Sequence, residues 1–289
     1  MLKNSAVVSV KWLASRIASK DPCIRILDGS FHMPAANRDQ KAEYAVKHIP
    51  GALFFDVNEC VDQNSPYPHM LPSPEEFEDY VRRMGIKNDS HVIVYDTSEK
   101  FGLFSAARVW WTFRVFGHDF VSVLDGGLPK WLSLNQSVTD KVETFPPSKF
   151  IARYRPELVK NFNDINDNIE SKLSQVVDAR SKGRFQGTAP EPRADIKSGH
   201  FQGATNIPFT SVLDRETKTI LKKEDLLKVF ENVKIDLNKP LIASCGSGVT
   251  ACCIVLAAYL CDYENVSVYD GSWTEWAMRS SADKILSKD

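Results

Sequence analysis

Short apolar runs alternate along the chain with longer stretches whose apolar residues recur every three or four positions. The runs Ile24-Arg25-Ile26-Leu27, His91-Val92-Ile93-Val94-Tyr95 and Val121-Ser122-Val123-Leu124 are too short for helices and rich in β-branched residues. They read as strands covered on both faces. Between them, Val10–Ala18 reads as a helix, and so does the stretch over residues 105–116. Another helix opens at Ser73-Pro74-Glu75-Glu76 with a capping serine, a first-turn proline and acids at the positive helix end, and stops near Gly85. The second half carries strands at Leu241-Ile242-Ala243 and Val266-Ser267-Val268-Tyr269, with the alanine-rich run Ala251–Leu260 between them as a helix packed on a sheet. Strands that alternate with helices predict an α/β protein, each domain a mostly parallel sheet with helices on both faces.

The pattern occurs twice. Ile26-Leu27-Asp28-Gly29-Ser30 matches Val176-Val177-Asp178-Ala179-Arg180, and His48-Ile49-Pro50-Gly51-Ala52 matches the segment from His200 to Pro208. Val92-Ile93-Val94-Tyr95-Asp96 matches Leu241-Ile242-Ala243-Ser244-Cys245, and the segment from Val121 to Leu128 with Trp131 matches that from Val266 to Trp273 with Trp276. Four matches in the same order, each offset by roughly 150 residues, indicate a duplicated domain; the period is too long for a solenoid. The expected layout is a first domain over residues 1–135, a polar linker with Pro146-Pro147 over 136–162, and a second domain over 163–289.

The bulk composition narrows the function classes. Hydrophobic content of 43% and charged content of 25% over 289 residues are those of a globular protein. A net charge of −1 without a long basic run argues against nucleic acid as a partner, and no apolar stretch is long enough to span a bilayer. Lys3, Lys11, Arg16 and Lys20 precede the first acid, Asp21, as in mitochondrial presequences, yet Val8-Ser9-Val10-Lys11-Trp12-Leu13 reads as the start of the first domain. The compartment expected is therefore cytoplasm, mitochondrion or both. The six cysteines are irregularly spaced, which fits neither a disulfide framework nor a zinc site, and adjacent Cys252 and Cys253 read as helix packing. No metal is expected.

Candidate chemistry sits where strand 241–243 runs out. In Ser244-Cys245-Gly246-Ser247-Gly248-Val249-Thr250 a cysteine stands in a loop of small residues just before a helix. The two glycines open backbone conformations closed to other residues, so successive N–H groups can face inward, and the helix N-terminus adds unpaired donors. A thiol in that cradle is expected to act as the nucleophilic thiolate, with Gly246, Gly248, Val249 and Thr250 forming the binding wall. No Gly-Lys-Ser/Thr follows, which excludes a Walker phosphate loop. Cysteine phosphatases close such a loop with an arginine, but position 251 is alanine and the loop holds no cation, which argues against a phosphorylated substrate.

The loop Cys-Gly-Ser-Gly-Val-Thr at 245–250, the twofold repeat and the endings Asp125-Gly126-Gly127 and Asp270-Gly271-Ser272-Trp273 resemble the rhodanese superfamily. The likeness runs over nearly the whole chain and is strongest to the branch that uses 3-mercaptopyruvate. It implies two rhodanese-like domains, the first inactive because Asp96 stands at the cysteine position. It also implies sulfur transfer through a Cys245 persulfide, with no cofactor beyond that covalent intermediate. Thioredoxin, small thiols or cyanide would take the sulfur, the thiols releasing hydrogen sulfide. By the same resemblance Arg184 and Arg193 grip the substrate carboxylate and carbonyl, and Ser247 with His69 moves protons. The position where the family has an aspartate for that relay is Asn58, with Asp56 two residues earlier, so the acid is left unassigned. His48 and His200, which recur at equivalent turns, and tryptophans 110, 111, 131, 273 and 276 read as fold residues. Arg180 reads as a structural ion-pair former. Two other readings stand: a thiosulfate sulfurtransferase, whose loop would carry Arg-Lys where this chain has Gly246-Ser247, and a non-catalytic binding module of the same fold.

Overall fold

The computed structural model describes residues 5–287, so Lys3 of the basic N-terminus lies outside it. In the first half, β1 (Val7–Val8), β2 (Ile24–Asp28), β3 (Ala52–Phe54), β4 (His91–Tyr95) and β5 (Val121–Leu124) form a sheet of order β1-β5-β4-β2-β3. In the second, β6 (Val159–Lys160), β7 (Gln175–Asp178), β8 (Ala204–Asn206), β9 (Leu241–Ser244) and β10 (Val266–Tyr269) form a sheet of order β6-β10-β9-β7-β8. The two orders are the same once each strand is matched to its repeat, and every pairing is parallel. Strands β4, β5, β9 and β10 are buried along their whole length, as expected of sheets covered by helices on both faces.

Around the first sheet lie α1 (Val10–Ala18), α2 (Gln40–Val46), α3 (Pro74–Arg83), α4 (Ala106–Val115) and α5 (Gly127–Ser133). Around the second lie α6 (Phe162–Ser171), α7 (Lys182–Gln186), α8 (Lys223–Asn232), α9 (Ala251–Leu260) and α10 (Ser272–Arg279). Local sequence sets their starts. Ser73 and Glu76 form a reciprocal capping box on α3, with Pro74 in the first turn. Asn161 and Asp164 do the same for α6. Helix α9, apolar all round, is buried from Ala251 through Ala258. Tryptophans 110, 111, 131, 273 and 276 are all core residues.

The chain divides into two compact units. The first runs to Gln63 and then takes Leu71–Arg155 and Asp214–Ile220; the second takes Asn64–Met70, Pro156–Leu213 and everything from Leu221 on. The polar stretch after α5 is anchored within the first unit: Phe150 is fully buried edge-on to Phe77, and Arg155 closes a fork on Asp119 at 2.8 and 2.7 Å. The paired histidines have paired settings. His48 stacks on Tyr44 and contacts its carbonyl through Nδ1, while His200 stacks on Phe185 and contacts its carbonyl in the same way. No helix among the described residues is long and apolar enough to cross a membrane.

Candidate active site

Strand β9 lies between β7 and β10, and Cys245 is the residue directly beyond its carboxyl end, where open α/β sheets bind ligands. Its side chain is 2% exposed. The backbone after it is pinned by the start of α10. The Cys245 carbonyl accepts from Trp273 N at 3.0 Å, and the Gly246 carbonyl accepts from both Thr274 N at 3.0 Å and Thr274 Oγ1 at 2.7 Å. The Cys245 N–H donates to Ser272 Oγ at 3.1 Å, and that hydroxyl donates to the Tyr269 carbonyl. Across a trans peptide the C=O and N–H point opposite ways. With both carbonyls turned toward α10, the N–H groups of Gly246 and Ser247 face away from it. These two, with the N–H groups of Val249 and Thr250, have no hydrogen-bond partner among the described residues. Thr250 starts α9 without a side-chain cap, so the positive helix end is left open to an anion.

The two loop glycines have different reasons to be glycine. Gly248 has φ +76°, a left-handed conformation that favours glycine. Gly246 does not; there a Cβ would lie 2.8 Å from Arg184 Nη2. The guanidinium rests against the loop backbone, which the sequence does not announce.

Arg184 lies on the short helix α7, and its Nε and Nη2 engage the carboxylate of Glu191, the latter at 2.5 Å. The Glu191 side chain is 4% exposed and also takes Arg180 Nη1 at 2.8 Å. Arg180 is fully buried, forked onto Asp178, bonded to the Gly199 carbonyl and stacked over the Trp273 ring. Arg193 has no ion-pair partner among the described residues. Burial lowers its pKa, the neighbouring charge of Arg184 lowers it further, and Cys245 and Glu191 act in the opposite sense. Ser247 Oγ lies 2.9 Å from His69 Nδ1; both residues are buried, and His69 holds a left-handed φ of +64° on the Asn64–Met70 segment.

The structure thus gathers Cys245, its loop, Ser247, His69 and the two arginines within one unit. Asp56, outside that unit, accepts from the Asn58 N–H. Three residues that sequence reasoning left without a role belong to the site: Glu191, Ser272 and Thr274. Glu191 stood between two arginines in a Gly/Pro-rich loop, and that spacing was its only signal. Ser272 and Thr274 act by hydrogen-bond geometry that no spacing reveals.

The Rhodanese-like domain family matches residues 9–134 and again 161–279. The 3-mercaptopyruvate sulfurtransferase of Rattus norvegicus is 47% identical over 287 residues, covering 98% of this chain and 95% of the relative. The thiosulfate sulfurtransferase of the same organism is also 47% identical, over 286 residues and the same shares. The crystal structure of a 3-mercaptopyruvate sulfotransferase from Escherichia coli superposes with a TM-score of 0.84 at 37% identity, covering 93% of this chain and 99% of that one. The chain belongs to the rhodanese family, with two copies of the domain. Within that family it is an enzyme, a sulfurtransferase.

Proposed function

We propose that the protein moves sulfur from 3-mercaptopyruvate through a persulfide on Cys245 to a thiol acceptor. The Cys245 thiolate attacks the donor's sulfur, the carbon–sulfur bond breaks, and its electron pair leaves on the carbon as the enolate of pyruvate. The proton from the donor's thiol reaches that carbon through Ser247 and His69, which yields pyruvate and Cys245–S–S⁻. The unpaired N–H groups of Gly246, Ser247, Val249 and Thr250 hold the persulfide charge, and Arg184 and Arg193 bind the carboxylate and carbonyl. An acceptor thiolate then attacks the outer sulfur and restores the Cys245 thiolate. Thioredoxin or a small thiol accepts in this reading, a second thiol releasing hydrogen sulfide; cyanide gives thiocyanate.

One observation carries the choice of donor, because overall identity to the two kinds of rat enzyme is equal. Ser247 Oγ, in the cysteine loop, lies 2.9 Å from His69 Nδ1. Sulfite leaves thiosulfate with its charge and needs no proton, whereas an enolate does. The test is Ser247→Ala with cyanide as acceptor and both donors measured. Turnover of mercaptopyruvate should fall at least about a hundredfold, the low end for a proton-transfer group, while thiosulfate turnover changes little. An equal change on both donors would contradict the reading.

A further inference from the structure

The two arginines of the site are not equivalent. Asp178, Arg180, Glu191 and Arg184 form one chain of ion pairs in which two negative and two positive groups alternate. Asp178 and Arg180 have no exposed side-chain surface and Glu191 has 4%, while Arg184, at the end of the chain, has 22%. Such a chain is neutral as a whole. The net positive charge beside Cys245 then belongs to Arg193, which has no carboxylate partner among the described residues and is partly buried.

Glu191 also fixes where Arg184 can point. A guanidinium has five N–H donors in one plane. Glu191 takes the Nε donor and one Nη2 donor, which locks the plane and leaves the Nη1 edge and the other Nη2 hydrogen. Nη2, which donates to Glu191, is also the atom against the loop, 2.8 Å from where a Cβ on Gly246 would be. Glu191 is itself held by Arg180, whose ring contact is Trp273, the residue whose N–H binds the Cys245 carbonyl. The same rigid frame therefore supports the thiol and the cation.

Resting on the reading of mercaptopyruvate as donor, we infer that Glu191 is a positioning residue. It orients Arg184 to act on the reacting end of the substrate and cancels its charge, so that Arg193 supplies the net attraction for the carboxylate. The expected signature is a split between kcat and KM. Glu191→Gln keeps shape but frees the guanidinium, so kcat for mercaptopyruvate should fall tenfold or more, while KM stays level or falls because a negative charge has gone. Arg193→Gln should instead raise KM.

The deciding experiment is a double-mutant cycle of Glu191→Gln with Arg184→Lys, with thermal unfolding measured on all four proteins. If Glu191 acts through Arg184, the double variant is no more than about twofold worse than the weaker single one. Single effects that multiply in the double variant, or a Glu191→Gln protein with lowered Tm but wild-type kcat per titratable Cys245, would overturn the inference. The cycle is repeated with iodoacetate and iodoacetamide as anionic and neutral probes of Cys245, which requires no assigned donor. Coupling between the two positions in the rate ratio, without mercaptopyruvate turnover in the wild type, would retain Glu191 as positioning and reject the donor. Independence in that ratio would reject the positioning role.

Discussion

The loop after β4 and the loop after β9 come from the same duplicated segment and use their backbone donors differently. In the first, the Asp96 carboxylate turns into its own cradle: Oδ2 accepts from the N–H groups of Phe104, Ser105 and Ala106 at 2.8 to 2.9 Å, and Oδ1 from Ser98. In the second, Cys245 occupies the equivalent place, and the donors of its loop are left open. The supporting turns correspond as well. Leu128 N binds the Asp96 carbonyl as Trp273 N binds that of Cys245, both at 3.0 Å. The residue just before each has a left-handed φ, +55° at Gly127 and +52° at Ser272. The first copy uses glycine there, which carries no strain. The second accepts a strained serine whose hydroxyl takes the Cys245 N–H. One scaffold thus gives an anion site that is permanently filled and one that is kept ready.

The comparison can be broken most severely at the two equivalent residues. Cys245→Ser should abolish sulfur transfer in a folded protein, because an alcohol cannot carry the persulfide; turnover on any donor above background would place the nucleophile elsewhere. Asp96→Ala should act on stability. It strips four backbone donors of a charged acceptor, an expected loss of about 2–4 kcal/mol, or roughly 5–10 °C in the Tm of a unit of this size. An unchanged Tm would mean the first cradle is not held together by its carboxylate. The smallest effect is expected at the strained turn. Ser272→Gly relieves the φ but loses the hydroxyl, so its stability should stay within about 1 kcal/mol of wild type, while Ser272→Ala should be lower by about 1–2 kcal/mol. Both should turn over several-fold more slowly. Wild-type kcat in the glycine variant would leave Ser272 with no part in holding Cys245.

Much of this was legible in the sequence because parallel sheets write themselves plainly. Strands β4, β5, β9 and β10 are short, mostly apolar runs buried along their whole length, and the repeat presents the pattern twice. Cys245 was legible as a candidate because a glycine-rich loop of small residues between a buried strand and an apolar helix can turn backbone donors toward a thiol. Other features depend on contacts that no local pattern encodes. His69 lies 178 residues from Ser247 in sequence and was visible only through family resemblance. At 246 a Cβ would press on the Arg184 guanidinium, and the backbone conformation there does not itself favour glycine. Glu191 carries no mark in the sequence beyond an acid placed between cations.

The central claim is that Cys245 takes sulfur from mercaptopyruvate, and intact mass tests it most directly. The reduced protein is mixed with a small excess of 3-mercaptopyruvate without acceptor, desalted and weighed, then digested to locate the change. The account predicts a gain of one sulfur atom on the peptide holding Cys245, lost on adding cyanide and absent from Cys245→Ser. An unmodified Cys245, or a sulfur that also appears in the Cys245→Ser protein, would contradict it.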